Sequence, residues 1–372
     1  MRIPLSSPDI NAQDIEAVTA VLRTPHLSLG PKLLEFENSL AQYVGASNAV
    51  AVSSGTSALH LCIRALGISD GDEVIVPSFA FIAVANAVRY ERAVPIFVDI
   101  DPATLNLDPE RVEAAITPRT KAIIVVHTFG VPADLDRILE ISKRHGLSII
   151  EDACEAIGAE YRGRKVGTFG EVGTFAFYPN KQITTGEGGA VVTNNSEIAA
   201  RVRSLRNQGV TVPGSWLAHS DVGHNYRISD INCALGISQV SRVDSILDRR
   251  DSIARLYNSA LASVPELRRP VLLLPDRKIS WFVYVVRLSS RFTGTHRDWI
   301  LDEMKVRGIG LGRYFAPIHL QPAYRAFSQN NSMLPVTEFE AQRTLALPFF
   351  NQISGEQVDE VSESLSTLCA TI

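Results

Sequence analysis

Three stretches carry residue types that could do chemistry together. In Ala49-Val-Ala-Val-Ser-Ser-Gly55-Thr56-Ser57-Ala58-Leu-His-Leu, a β-rich run passes through a glycine into an apolar-periodic helix. The free N–H groups of such a helix's first turn, with its dipole, favour a phosphate, and the Thr56 and Ser57 hydroxyls add donors. The same pattern also fits an ordinary capped βα turn. In Leu147-Ser-Ile-Ile-Glu151-Asp152-Ala153 an acid stands at the carboxyl end of a buried strand, where open α/β sheets bind ligands. A carboxylate facing a pyridine nitrogen keeps it protonated, so the ring can accept the electrons of a substrate carbanion. A lone strand-end Asp is otherwise a helix cap. The third stretch, Gly173-Thr-Phe-Ala-Phe-Tyr178-Pro179-Asn180-Lys181-Gln-Ile-Thr-Thr-Gly186-Glu-Gly188-Gly189, sets one lysine between two β-rich runs. A loop lysine is usually solvated. These apolar and glycine-rich flanks instead suit a lysine drawn inward, its pKa lowered so that the amine attacks an aldehyde.

The elements that must position these stretches follow from periodicity. From about residue 48 to 195, β-rich runs alternate with helical patterns, which predicts a mainly parallel sheet covered on both faces. The runs cover 49–53, 73–76, 94–98, 122–126, 148–151, 174–177 and 190–193. Ahead of them, Asn11 and Asp14 predict an N-cap and acidic first turn, with Ile15, Val18 and Leu22 on one helical face. A second helix follows Pro31, with Gly45 as its C-cap. After residue 230 a long helical stretch through Ile237, Val240, Ile246, Ile253 and Leu256 bridges two domains. Beyond it come a β-rich run at 281–288, a helix at 297–306, a strand near 311–315 and two further helices. The expected organisation is a large α/β domain, 1–245, with an N-terminal arm at 1–30, and a smaller α+β domain, 246–372.

Composition narrows the function classes. A chain of 372 residues, 45% apolar, is long enough for two cores, and a formal charge of -4 leaves no electrostatic footprint for nucleic acid or an anionic membrane. No apolar stretch is long enough to span a bilayer, and the N-terminus lacks a signal-peptide core. Cys62, Cys154, Cys233 and Cys369 show neither a CxxC pair nor zinc spacing, so free thiols, no metal and a cytoplasmic location are expected. The Asn-x-Ser matches at Asn194 and Asn330 then carry no glycosylation meaning. His60 and His127, in apolar contexts, read as satisfied core residues.

Phosphate cradle, acid and lysine arrive in the chain order of fold-type I pyridoxal-phosphate (PLP) enzymes. With LSLGPKLLEFE, GDEVIVPSFAFIAVANAV, EDACEAIGAEYRGRKVGTFG, FAFYPNKQITTGEGG, GHNYRISDINCALG and HLQPAYR, nearly the whole chain resembles the sugar aminotransferases of the DegT/StrS type. These put an amino group on a keto sugar carried by a nucleotide. The resemblance implies a fold-type I PLP-dependent transferase: a large, mainly parallel, seven-stranded sheet domain and a smaller α+β C-terminal domain. It implies Gly55, Thr56 and Ser57 at the cofactor phosphate, Phe81 stacked on the ring, Asp152 at its nitrogen and Lys181 as the Schiff-base lysine. Asn225, in GHNYR, would reach the phosphate from the partner subunit of a homodimer. Tyr314 and His319 lie where relatives contact sugar or amino donor. Phe81 also fits plain core packing, and His319 a structural turn. Two positions depart from the pattern. Ala176 replaces a phosphate-binding Ser of many relatives. Glu155 stands where Gln or His often donates to the cofactor's phenolic oxygen; an ionised Glu cannot donate and would repel a phenolate, so it is protonated, displaced, or acting on another group.

The implied reaction passes nitrogen from an amino acid, L-glutamate by resemblance, to the cofactor and on to a keto sugar. The GHNYRISD wording is closer to enzymes acting at C4 than at C3. Family members that dehydrate the sugar carry His where Lys181 stands. A nicotinamide-dependent sugar oxidoreductase would need a G-x-G-x-x-G after its first strand, and Gly186 to Gly189 follows the wrong elements. A non-catalytic regulator could share the fold, but Asp152 and Lys181 are both intact.

Overall fold

The computed structural model describes residues 1–211, 218–327 and 333–372; Asn330 lies outside them. The expected β-rich runs form one seven-stranded sheet in the spatial order Asn48–Val52, Gly189–Thr193, Val172–Ala176, Ser148–Asp152, Thr120–Val126, Glu73–Pro77, Val94–Val98. All neighbours pair in parallel except Gly189–Thr193, which is antiparallel to both of its neighbours. Successive strand residues face opposite sides. Ala49, Ala51, Ile123 and Ile149 therefore enter a core with Phe36, Leu40 and Ile138, while Val50, Val52, Ile124 and Ile150 enter another with Ala58, Val84 and Val202. Both faces are covered by helices, which is why these strands read as nearly continuous apolar runs rather than alternating ones.

The N-terminal helix, Ala12–Leu22, has the expected capping box of Asn11 and Asp14. Its buried side is not the apolar stripe read from the sequence. Asp14 and Val21 are buried, whereas Ile15 and Leu22 are 61% and 57% exposed. The orientation is set by the Asp14 carboxylate, which accepts hydrogen bonds from Arg242 at 2.7 Å and Gln239 at 2.9 Å. The second helix, Pro31–Val44, ends at Gly45 with φ 78°, a left-handed cap that favours glycine.

The helical stretch after residue 230 is broken in two, Asp230–Ser241 and Val243–Ala260. Arg242 leaves helical geometry at the junction, where its guanidinium is held by Asp9 and Asp14. The second helix begins against the large core through Val243, Ile246 and Leu247 and ends in a second core through Ile253, Ala254 and Tyr257. That core surrounds a three-stranded sheet, Leu267–Arg268, Tyr284–Leu288 and Thr344–Leu347, backed by helices Gly294–Val306 and Gly355–Thr371. The expected strand at 311–315 does not form. A single bridge joins Gly312 to Ala346, and the chain packs instead beneath the N-terminal arm: a Cβ at Gly310 would come 2.8 Å from Leu5 N, and one at Gly312 2.9 Å from the Leu5 side chain. Among the described residues no helix is long and apolar enough to cross a membrane, and all four cysteines are free.

Candidate active site

A cleft of about 550 Å³ opens where the strands of the large sheet end and residues 313–315 close over them. Gly55 and Thr56 line one wall, at the first turn of the helix Gly55–Ala65. First-turn N–H groups have no intrahelical acceptor, so this wall is a ready anion site. The backbone comes this close because residue 55 lacks a side chain: a Cβ there would lie 2.7 Å from Ala176 Cβ and 3.1 Å from Cys154 Sγ. Ser57 does not line the cleft. Its N–H is capped by Ser54 Oγ at 3.0 Å, and its hydroxyl lies 2.8 Å from the same atom. Ser54, which sequence reasoning did not single out, lines the cleft beside Gly55; its signal was its place as the residue before the helix. Ala176 lines the same wall without a hydroxyl.

Asp152 ends its strand inside the cleft, buried, with Oδ1 accepting the Cys154 N–H at 3.0 Å. The neighbouring Glu151 points into the core, where its carboxylate accepts from Gly167 and Gly170 and meets His127 Nε2 at 3.0 Å. Adjacent acids thus take opposite faces, one structural and one open to ligand. His127 is fully buried and paired, and His60 is held between Tyr226 and Glu91 at 3.0 and 2.7 Å, so both are satisfied core residues as expected.

Lys181 is drawn inward, its side chain 14% exposed. The loop that carries it is tied on both sides: Lys181 N–H donates to Tyr178 O, Gln182 Nε2 to Glu155 O, and Thr184 Oγ1 and Thr185 N–H to Phe177 O. Its Nζ lies 3.6 Å from Glu155 Oε1 and 4.1 Å from the centre of the Phe282 ring. Burial raises the Glu155 carboxyl above its ordinary range, while the Lys181 charge pulls it back. Tyr314, also lining the cleft, is pushed up by burial and then by Glu155, so it stays a neutral phenol. Phe282, Arg313 and Phe315 complete this wall from more than 100 residues further along the chain, and no local sequence pattern marks them.

The remaining expected residues divide. Phe81 lines the cleft and is 63% exposed, so it is not core packing. His319 is buried away from the cleft lining, with Nδ1 2.6 Å from Ser78 Oγ and Nε2 3.3 Å from Glu338. Asn225 is exposed, bridged to Asn207, and does not line the cleft of its own chain.

The family model of the DegT/DnrJ/EryC1/StrS aminotransferase family matches residues 8–366. The chain is 40% identical over 366 residues to the GDP-perosamine synthase of Caulobacter vibrioides, covering 98% of this chain and 97% of that protein. Among solved structures, DesV of S. venezuelae, in complex with a ketimine intermediate, superposes with a TM-score of 0.92 at 37% identity, covering 100% of this chain and 99% of that one. Streptococcus pneumoniae Spr1654 in its PLP-form superposes with a TM-score of 0.95 at 28% identity, covering 100% and 99%. A match of this extent, on a cleft that joins Asp152 and Lys181 to an open helix N-terminus, makes the chain a member of the DegT/DnrJ/EryC1/StrS aminotransferase family, a PLP-dependent sugar aminotransferase.

Proposed function

We propose that the enzyme moves an amino group from L-glutamate to C4 of a nucleotide-linked keto sugar and works as a homodimer with shared sites. The observation that carries its chemistry is a Lys181 amine drawn inward into one cleft with the Asp152 carboxylate and the Gly55–Thr56 turn. The residues present fit the cofactor: the open first turn at Gly55 and Thr56 suits a phosphate, Asp152 suits a protonated ring nitrogen, and Lys181 suits an aldehyde carbon. When bound, the cofactor supplies an electron-accepting ring and a carbon that carries the nitrogen. Lys181 Nζ takes the proton from the donor's Cα, a positioned acid/base role worth about 10²–10⁴-fold. The Phe282, Tyr314 and Phe315 rings line the cleft and restrict water there.

The nucleotide-linked substrate is supported by the relative whose name is GDP-perosamine synthase. The C4 preference rests on the GHNYRISD wording, and the donor on resemblance. The dimer is supported by large apolar side chains that lie uncovered on the surface of residues 10–34. Ile10, Ile15, Leu22, Leu27, Leu29 and Leu34 are all more than 40% exposed. The Ser28–Ser229 bridge ties that surface to the segment carrying Asn225. In the proposed dimer a second copy covers these side chains, and each Asn225 serves the other chain's cleft. The test loads purified protein with glutamate and offers a panel of nucleotide-linked 3- and 4-keto sugars. An aminated 4-keto sugar, identified by mass and NMR, is expected. Turnover of only 3-keto sugars, or no use of glutamate, refutes the respective part.

A further inference from the structure

Glu155 lines the cleft, and its carboxyl is fixed at two points. Oε2 accepts the Phe129 N–H at 3.0 Å, and Oε1 lies 3.6 Å from Lys181 Nζ. Its own carbonyl accepts Gln182 Nε2 at 2.7 Å, so the segment bearing the acid and the loop bearing the lysine are joined at the neighbouring residue. The two side chains are 8% and 14% exposed, which leaves little water between them. Around the pair stand Asp152, whose charge also bears on Glu155, the Tyr314 phenol and the Cys154 thiol. Burial pushes both the phenol and the thiol up, so neither competes for the proton. The Phe282 face beneath Nζ favours a cation.

We infer that Glu155 is a positioning residue acting through Lys181: its carboxylate pairs with the Lys181 amine and takes its proton when the amine becomes a nucleophile. In that step an N–H bond at Nζ breaks and an O–H bond at Oε1 forms. The proton stays in the cleft and no further reactant is needed. The gap of 3.6 Å suits an ion pair in the resting protein, and such contacts tighten when a ligand closes the site. A buried acid with its affinity for protons raised is the better acceptor. Glu155 therefore acts on the lysine.

The inference rests on the proposed role of Lys181, but its test does not use the cofactor. Full-length, cofactor-free protein is labelled competitively with acetic anhydride across a pH series, and the Lys181 peptide is quantified by mass spectrometry. Removing the negative charge in Glu155→Gln should shift the Lys181 labelling curve down by about one pH unit, roughly tenfold in reactivity at fixed pH. Glu155→Asp keeps the charge at longer range and should shift the curve in the same direction by less. A Gln curve that overlays wild type overturns the inference; if that variant does not fold, an overlaid Asp curve does so. Failure here leaves cofactor attachment at Lys181 untouched, because that attachment is read separately by trapping.

Discussion

Replacing Asp152 by Asn isolates one charge without disturbing the strand that carries it. Asp152 Oδ1 accepts the Cys154 N–H at 3.0 Å, and an amide oxygen can accept the same bond, so the cofactor-free variant should fold. The carboxylate itself lines the cleft and can reach a bound ligand. If it serves a protonated ring nitrogen, the loss is one hydrogen bond to a charged group, about 1.5–3 kcal/mol. That converts to a roughly 10- to 150-fold weaker cofactor affinity. The half-reaction with glutamate should slow by more than binding weakens, because the uncharged partner no longer favours the protonated ring on which electron acceptance depends. Equilibrium dialysis gives the affinity, stopped-flow absorbance the half-reaction, and circular dichroism with thermal melting the fold. A folded variant with near-normal affinity and half-reaction would refute the assigned role of Asp152.

Other expectations follow from particular contacts. Lys181→Ala and Asn225→Asp homodimers should each be nearly inactive, whereas a differently tagged mixed dimer should recover up to about half of wild-type activity, because one of its two sites receives neither lesion. A mixed dimer as inactive as its parents would place Asn225 in its own chain's site. Gly55→Ala should lower both cofactor affinity and melting temperature, since its Cβ would sit 2.7 Å from Ala176 Cβ and overpacking costs about 1–3 kcal/mol. An unchanged melting curve and affinity would show that the wall yields. Burial holds the His60 imidazole below its ordinary value of 6.5, so its contribution to stability is complete above that pH and is lost as the pH falls below it. Urea unfolding across this range should show a decline that His60→Gln flattens, and an equally steep decline in the variant would assign the effect to another group.

The parts legible in the sequence were those that local pattern specifies. A strand buried on both faces reads as an apolar run, so Ser148–Asp152 and its acid could be placed, and the glycines around Lys181 marked a loop drawn inward. Where a polar side chain decides, hydrophobic periodicity misleads. The buried Asp14 turns the first helix so that Ile15 and Leu22 face outward, and Arg242 splits a helix that its apolar residues would have continued. Ser57 shows the same limit at the site. The sequence offered its hydroxyl to a phosphate, but Ser54 had already engaged it as the helix cap. The Phe282 ring beneath Lys181 and the Phe129 N–H on Glu155 come from distant segments, so their roles arise only in the folded chain.

Cofactor attachment at Lys181 is the feature on which the proposed chemistry depends most directly. Purified protein loaded with PLP, reduced with borohydride, digested and mapped by mass spectrometry should carry the pyridoxyl group on Lys181, and Lys181→Ala should carry none. A label on any other lysine, or undiminished labelling of the variant, would contradict the central claim.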